Sequence, residues 1–150
     1  MKGIYKVLAL ASLLCAFASC TTKLEVHRLG DPSTYVAPTM LGPGTIDITA
    51  EDIASDAPVT FSWSPADFGQ PTEIVYSILC TYNGKSATLF SNITGKSYDA
   101  KSSELNDKLT TLGVPAGSKV KADFSISSTI GTDFVSVTSS TYSVNVTLPE

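Results

Sequence analysis

An all-β antiparallel sandwich is the fold that this sequence predicts, and three observations carry the prediction. Short stretches from residue 45 onward alternate apolar and polar side chains, as strands with one buried face do. Turn-forming residues separate these stretches at regular intervals, and Asn83-Gly84 is the strongest hairpin signal among them. Strand and helix patterns do not alternate along the chain, so a parallel sheet is not expected. About seven short strands of this kind are typical of an immunoglobulin-like sandwich.

The first twenty residues predict export and a lipid anchor. Lys2 and Lys6 accompany a short apolar run, and Phe17-Ala18-Ser19-Cys20 resembles a lipobox. The run is shorter than the about 20 residues that a transmembrane helix needs. We therefore expect residues 1–19 to be a lipoprotein signal peptide and Cys20 to carry acyl chains that attach the mature chain to membrane lipid. An ordinary secretory signal with an incidental cysteine is the alternative.

Residues 20–44 are expected to form a flexible tether that begins at the lipidated cysteine. The segment shows little periodicity and is rich in proline and glycine, namely Pro32, Pro38 and Pro43 with Gly30, Gly42 and Gly44. The folded domain is then expected to occupy residues 45–150.

Alternation places the strands of this domain. They are expected, in order, at Thr45–Thr49, Val59–Ser64, Ile74–Tyr82, Ser86–Ile93, Lys119–Ser127, Phe134–Thr138 and Tyr142–Leu148. Residues 51–58 are expected to be a loop. The inward side chains form four groups, which are Ile46 and Ile48; Val59, Phe61 and Trp63; Tyr76, Ile78 and Cys80; and the alternating apolar residues of the last strands.

One short helix interrupts the strand pattern and is expected to cross between the two sheets. Leu105, Leu109 and Leu112 fall on one helical stripe, and Gly113 follows them as a stop signal. Ser102 or Ser103 opens this stretch, and Ser103 is expected to cap it.

Composition and motifs argue against several functions. Removal of residues 1–19 takes two lysines and no acid, which leaves a mature chain of 131 residues with a net charge of −6 and no basic patch for nucleic acid. His27 is the single histidine and lies in the expected tether, so neither a catalytic triad nor zinc spacing is present. Cys80 is left unpaired and is expected to be buried. We predict no enzyme activity, no cofactor and no metal.

Two further groups of residues are candidate sites. The acidic cluster at Asp47, Glu51, Asp52 and Asp56 does not match a calcium loop and is interpreted as solvated. Trp63 is expected in the core, so the weak candidates for glycan binding are aromatic residues in loops or beside turns, namely Tyr82, Phe68 and Tyr35.

The order of features from about Pro38 onward is similar to that of a known family. The segments that carry the similarity are 36–43 (VAPTMLGP), 48–52 (ITAED), 59–69 (VTFSWSPADFG), 76–78 (YSI), 104–109 (ELNDKL), 112–113 (LG) and 116–117 (AG). This pattern resembles the N-terminal immunoglobulin-like domain of the SusE/SusF family of outer-membrane lipoproteins. The resemblance implies a setting in the starch and glycan utilisation systems of Bacteroidota.

In that family, further C-terminal modules bind the glycan and the N-terminal domain holds them away from the membrane. We expect those modules to be absent here, so the resemblance implies no site residue. It implies a spacer, an accessory subunit or a weak glycan binder, with a TonB-dependent transporter complex and polysaccharide as partners. The cell surface is the expected location, with the periplasmic face as the alternative because Glu25 is the one acid close to Cys20. A surface structural or adhesive protein that binds a protein partner through a sheet edge or loops is the alternative function.

Overall fold

Nine strands and two α-helices form the regular structure of residues 30–131 and 135–150, the part of the chain described by a computed structural model. The strands are β1 (Met40–Gly42), β2 (Thr45–Asp47), β3 (Pro58–Trp63), β4 (Ile74–Tyr82), β5 (Lys85–Ile93), β6 (Ser97–Lys101), β7 (Lys119–Ile130), β8 (Val135–Thr138) and β9 (Tyr142–Thr147). The helices are α1 (Ala50–Ser55) and α2 (Ser102–Leu112), and a 3-10 turn covers Pro32–Thr34.

The strands form two sheets, which confirms the all-β sandwich. The smaller sheet has the order β1-β3-β6, and the larger has the order β2-β9-β7-β4-β5. The long strand β7 lies at the centre of the larger sheet, because it pairs with β4 along one edge and with β9 and then β8 along the other. All pairings between these strands are antiparallel except that of β2 with β9, which is parallel.

The core lies between the inner faces of the two sheets. Trp63 is 2% exposed and contacts Tyr76 across the core, with 5.5 Å between ring centroids. Phe61 contacts Phe124 of β7 in the same way, at 5.7 Å. The inward positions expected from alternation in β3, β4, β7 and β9 are confirmed. Cys80 is among them, and it is buried and free of any disulfide.

Helix α2 connects β6 of the smaller sheet to β7 of the larger one, as expected. Leu105, Leu109 and Leu112 are all buried, and Gly113 ends the helix in the left-handed region at φ 108°. Its start differs from the prediction, since Lys101 is the cap residue and contributes no side-chain hydrogen bond. Ser102 instead donates to the carbonyl of Ala57. A cap is dispensable here because three buried leucines hold the helix.

The prediction of a loop at residues 51–58 is wrong, because helix α1 occupies most of this segment. Thr49 and Asp52 form a capping box, in which the Thr49 Oγ1 accepts from the Asp52 N–H at 3.1 Å and the Asp52 carboxylate accepts from the Thr49 N–H at 2.8 Å. Asp56 ends the helix with φ 54°. Asp52 and Asp56, which the sequence indicated as part of a solvated loop, therefore belong to a helix. Asp52 lies in its capping box and Asp56 at its C-terminal cap.

The expected free tether is also wrong for residues 30–44. Met40 is 3% exposed, and β1 pairs with β3 in the smaller sheet. Val36 exchanges two backbone hydrogen bonds with Asp67, at 2.8 and 3.0 Å. The prolines and glycines of this segment indicated a tether, and β1 has only three residues, which is too short for alternation to be recognised. β6 was also missed, because its alternation depends on only two apolar residues, Tyr98 and Ala100.

Candidate functional site

None of the ten aromatic side chains in the described residues is exposed. Six are buried and four are half-buried, the latter being Tyr35, Tyr82, Tyr98 and Tyr142. A sugar ring stacks on an aromatic face that is open to solvent. The described part of the chain therefore presents no ready aromatic platform.

Phe68 is not an exposed loop aromatic. Its side chain is 0% exposed, and its ring lies 5.1 Å from that of Tyr35 in an edge-on contact. The Tyr35 hydroxyl donates to the carbonyl of Gly30 at 3.0 Å. Phe68 and Tyr35 are thus brought together, but they fasten residues 30–36 to the loop between β3 and β4. The expectation that Phe68 presents a glycan-binding ring is wrong.

Tyr82 lies far from that pair. It ends β4 beside the Asn83-Gly84 turn, whose two positive φ values of 49° and 77° fit a type I′ hairpin. The N–H of Ala66, in the same loop as Phe68, donates to the Tyr76 hydroxyl at 3.1 Å, and six residue steps of about 3.3 Å, or about 20 Å, separate Tyr76 from Tyr82 along β4. Tyr82 follows Cys80 on the inward face and packs against the edge of the core. The three candidate aromatics therefore do not form one site.

A mainly apolar cleft lies between α2 and β5 on the described surface. It measures about 250 Å³ and is lined by Ala87, Thr88 and Leu89 of the strand and by Asp107, Lys108 and Thr111 of the helix. Lys108 is held in place at this cleft, since its Nζ lies 5.1 Å from the centroid of the Phe90 ring and 3.5 Å from the Glu104 Oε1. Asp107 makes no ion pair with a described residue.

A second, larger cleft of about 630 Å³ lies at the start of β4. Its polar lining comes mainly from Glu73, Ser77, Asn92 and Thr129. Its described lining residues include a single carboxylate and no aromatic ring. Hydroxyl and amide groups can bind water or a sugar hydroxyl here, but the geometry does not select a ligand.

The thiol of Cys80 is unreactive in the folded chain. Burial raises its pKa to about 12, and the negative charge of Asp123 adds to the shift. The thiolate is the reactive form, so this residue is not a nucleophile near neutral pH. Among the described residues, no group of three or more His, Cys, Asp or Glu side chains is placed to hold a metal ion.

The predicted lipidation site, Cys20, lies outside the described residues and stays a prediction. Within residues 30–131 and 135–150, no helix has the length and apolar character needed to cross a bilayer.

A comparison with protein families decides the affiliation. The model of the family described as "SusE outer membrane protein" matches residues 29–127, about two thirds of the chain. The chain belongs to the SusE family. The SusE match runs from just before the Val36–Asp67 pairing into β7, so it includes β1, both helices and the Phe68–Tyr35 contact.

Other comparisons add little to the SusE assignment. Nothing among the curated proteins matches this sequence. A solved structure titled "The crystal structure of a Fn3-like protein from Clostridium thermocellum" is similar, with 18% identity over 76% of this chain and 96% of that one, and a TM-score of 0.38.

Sequence reasoning missed the cleft between α2 and β5 in this SusE domain. The cleft needs two elements that are separated by β6, and alternation within one strand carries no information on what lies beside its edge. No local pattern in the sequence could have indicated it.

Proposed function

We propose that this chain is a lipid-anchored, non-enzymatic module of an outer-membrane glycan uptake system, in which it acts as a spacer or accessory subunit rather than as a glycan binder. Membership of the SusE family, an outer membrane protein family, supports the setting. Because none of the ten described aromatic side chains is exposed, and carbohydrate recognition favours exposed rings, we choose the spacer role over the binder role.

The packing of residues 30–44 supports the spacer role as well. A chain that leaves the membrane at Cys20 reaches the sandwich after at most ten residues, since Gly30 already lies close to the backbone of Phe68. Ten residues extend at most about 35 Å. The folded module would therefore begin within about 35 Å of the membrane surface. Any further distance from the membrane would come from the folded module itself and not from a long tether.

Two measurements test this proposal. In the first, cells that express the chain or Cys20→Ala are fractionated, and the wild type is expected in the outer membrane while the variant is released from it. Protease treatment of intact cells then distinguishes the two faces of the membrane, because a chain on the cell surface is degraded and a chain on the periplasmic face is protected. A variant that stays in the outer membrane would refute lipid anchoring.

The second measurement addresses glycan binding directly. The chain is run in native affinity gels that contain starch, pullulan or another polysaccharide, and no retardation is expected. Retardation by any of these glycans would contradict the spacer role and return the weak-binder alternative.

Binding of a protein partner is the second candidate function, and one observation favours it. β5 is the end strand of the larger sheet, and no described strand pairs with its outer edge.

A further inference from the structure

We infer that the cleft between α2 and β5 binds an extended peptide segment, which adds to the larger sheet as a further strand and carries an aliphatic side chain next to a basic one. The inference gives the second candidate function a surface and a ligand class. It is independent of the lipid anchor and of the spacer role.

The free edge of β5 presents backbone groups that are suited to a strand. Tyr82 and Lys85 flank the two-residue turn and form a hydrogen-bonded pair, so pairing alternates regularly from there to Thr88, after which the register shifts. Ser86 and Thr88, opposite Thr81 and Leu79, occupy the positions whose N–H and C=O groups point away from β4. An extended chain satisfies those groups through main-chain hydrogen bonds.

The same edge is only partly protected against such pairing. Natural edge strands carry inward charges, lysines or prolines that prevent addition of another chain. β5 begins with Lys85 and its register shifts between Thr88 and Ile93, but neither a charge nor a proline lies between Ser86 and Ile93. Ser86 and Thr88 are exposed and uncharged, so a neighbouring strand meets no repulsion there.

The size of the cleft argues for one side chain rather than a separate small molecule. Its volume of about 250 Å³ is below the about 300–1,000 Å³ that is usual for small-molecule sites. Ala87 and Leu89 make the strand side of the cleft apolar, which favours an aliphatic group. The side chain would enter between the strand and Thr111 of the helix.

Charge complementarity selects the basic residue of the ligand. Lys108 is already paired with Glu104 and lies over Phe90. Asp107 is exposed, lines the cleft and makes no ion pair with a described residue. A lysine or arginine beside the aliphatic side chain would therefore find a carboxylate partner at the helix wall.

The test uses the full chain, purified in mild detergent, and a phage-displayed library of random eight-residue linear peptides. Enriched sequences are synthesised with a fluorophore, and their affinity is measured by anisotropy. We expect enrichment of peptides with an aliphatic residue beside Lys or Arg, at micromolar Kd. Asp107→Asn is expected to raise the Kd of these peptides several-fold.

Two variants and a matched control assign the binding to the cleft. Thr111→Arg fills the cleft from an exposed helix position, and Thr110→Arg adds the same charge to the same helix without lining the cleft. Thr88→Pro removes an outward N–H while leaving the pairing with β4 intact. We expect Thr111→Arg and Thr88→Pro to weaken binding at least tenfold and Thr110→Arg to change it less than twofold.

Three outcomes would overturn the inference: no peptide is enriched, the enriched peptides bind Thr111→Arg as tightly as the wild type, or sedimentation shows a dimer that Thr111→Arg dissociates. The last result would mean that a second copy occupies the edge. If Thr88→Pro fails to fold, as read from Trp63 fluorescence, the pair at residues 110 and 111 still decides. None of these measurements depends on the fractionation or affinity gels, so the spacer role is judged separately.

Discussion

Phe68 offers a direct choice between a ligand-binding role and a structural one. Its side chain is fully buried and contacts Tyr35 at 5.1 Å. Replacement of a buried phenylalanine by alanine costs about 3–5 kcal/mol through lost burial and the cavity left behind. At a urea m-value of roughly 1.5 kcal/mol/M, Phe68→Ala is expected to lower the unfolding midpoint by about 2–3 M.

The measurement is equilibrium urea unfolding, followed by the fluorescence of Trp63, the single tryptophan of the chain. Phe68→Leu is the matched control, because it keeps most of the apolar volume and should cost less than about 1.5 kcal/mol. A loss below about 1 kcal/mol for Phe68→Ala would refute the packing described here. So would a variant that loses retention on a polysaccharide while keeping its stability.

Three other predictions concern the turn, the capping box and the thiol. Gly84→Ala places a Cβ in open space at φ 77°, so its cost of about 1 kcal/mol is backbone strain alone, whereas Gly44→Ala, without a positive φ, should be nearly neutral in the same urea assay. Hydrogen bonds from the side chain and then the backbone of Thr49 lower the pKa of Asp52, so the stability that this carboxylate contributes is present above about pH 4 and is lost as the pH falls through the depressed pKa. Asp52→Asn should therefore flatten the acid branch of a plot of urea midpoint against pH, and an unchanged slope would contradict this account. Because the pKa of Cys80 is raised to about 12, its alkylation by iodoacetamide at neutral pH should follow global unfolding, and its stabilising effect should be lost as the pH rises from about 9 to 12. Peptide mass spectrometry measures the alkylation, and fast labelling without denaturant would disprove the burial.

The elements that the sequence predicted correctly are those whose pattern is local. Leu105, Leu109 and Leu112 define one face of α2, and Gly113 supplies the left-handed stop. The Asn83-Gly84 turn fixes a hairpin from two residues alone. In each case the residues that carry the signal are neighbours in sequence as well as in space.

The errors arose where burial depends on residues distant in sequence. Phe68 looked available because its loop is rich in turn residues, but the aromatic ring that covers it belongs to Tyr35, 33 positions earlier. Helix α1 is an exception, because its signal is local: Thr49 with Asp52 three positions later forms a capping box, but the short helix lacks an apolar stripe. The cleft between α2 and β5 could not be predicted, because no local pattern indicates which edges of a sheet a helix leaves open.

The parallel pairing of β2 with β9 also bears on how this domain would carry mechanical load. Thr45, Ile46 and Asp47 lie beside Asn145, Val146 and Thr147 and run in the same direction. A force applied between the segment before β2 and the segment after β9 pulls these two strands past each other. All the hydrogen bonds between them are then loaded together in shear, instead of opening one after another like a zipper. The domain is therefore expected to resist tension applied across this pair of strands more strongly than it would if the two strands were antiparallel.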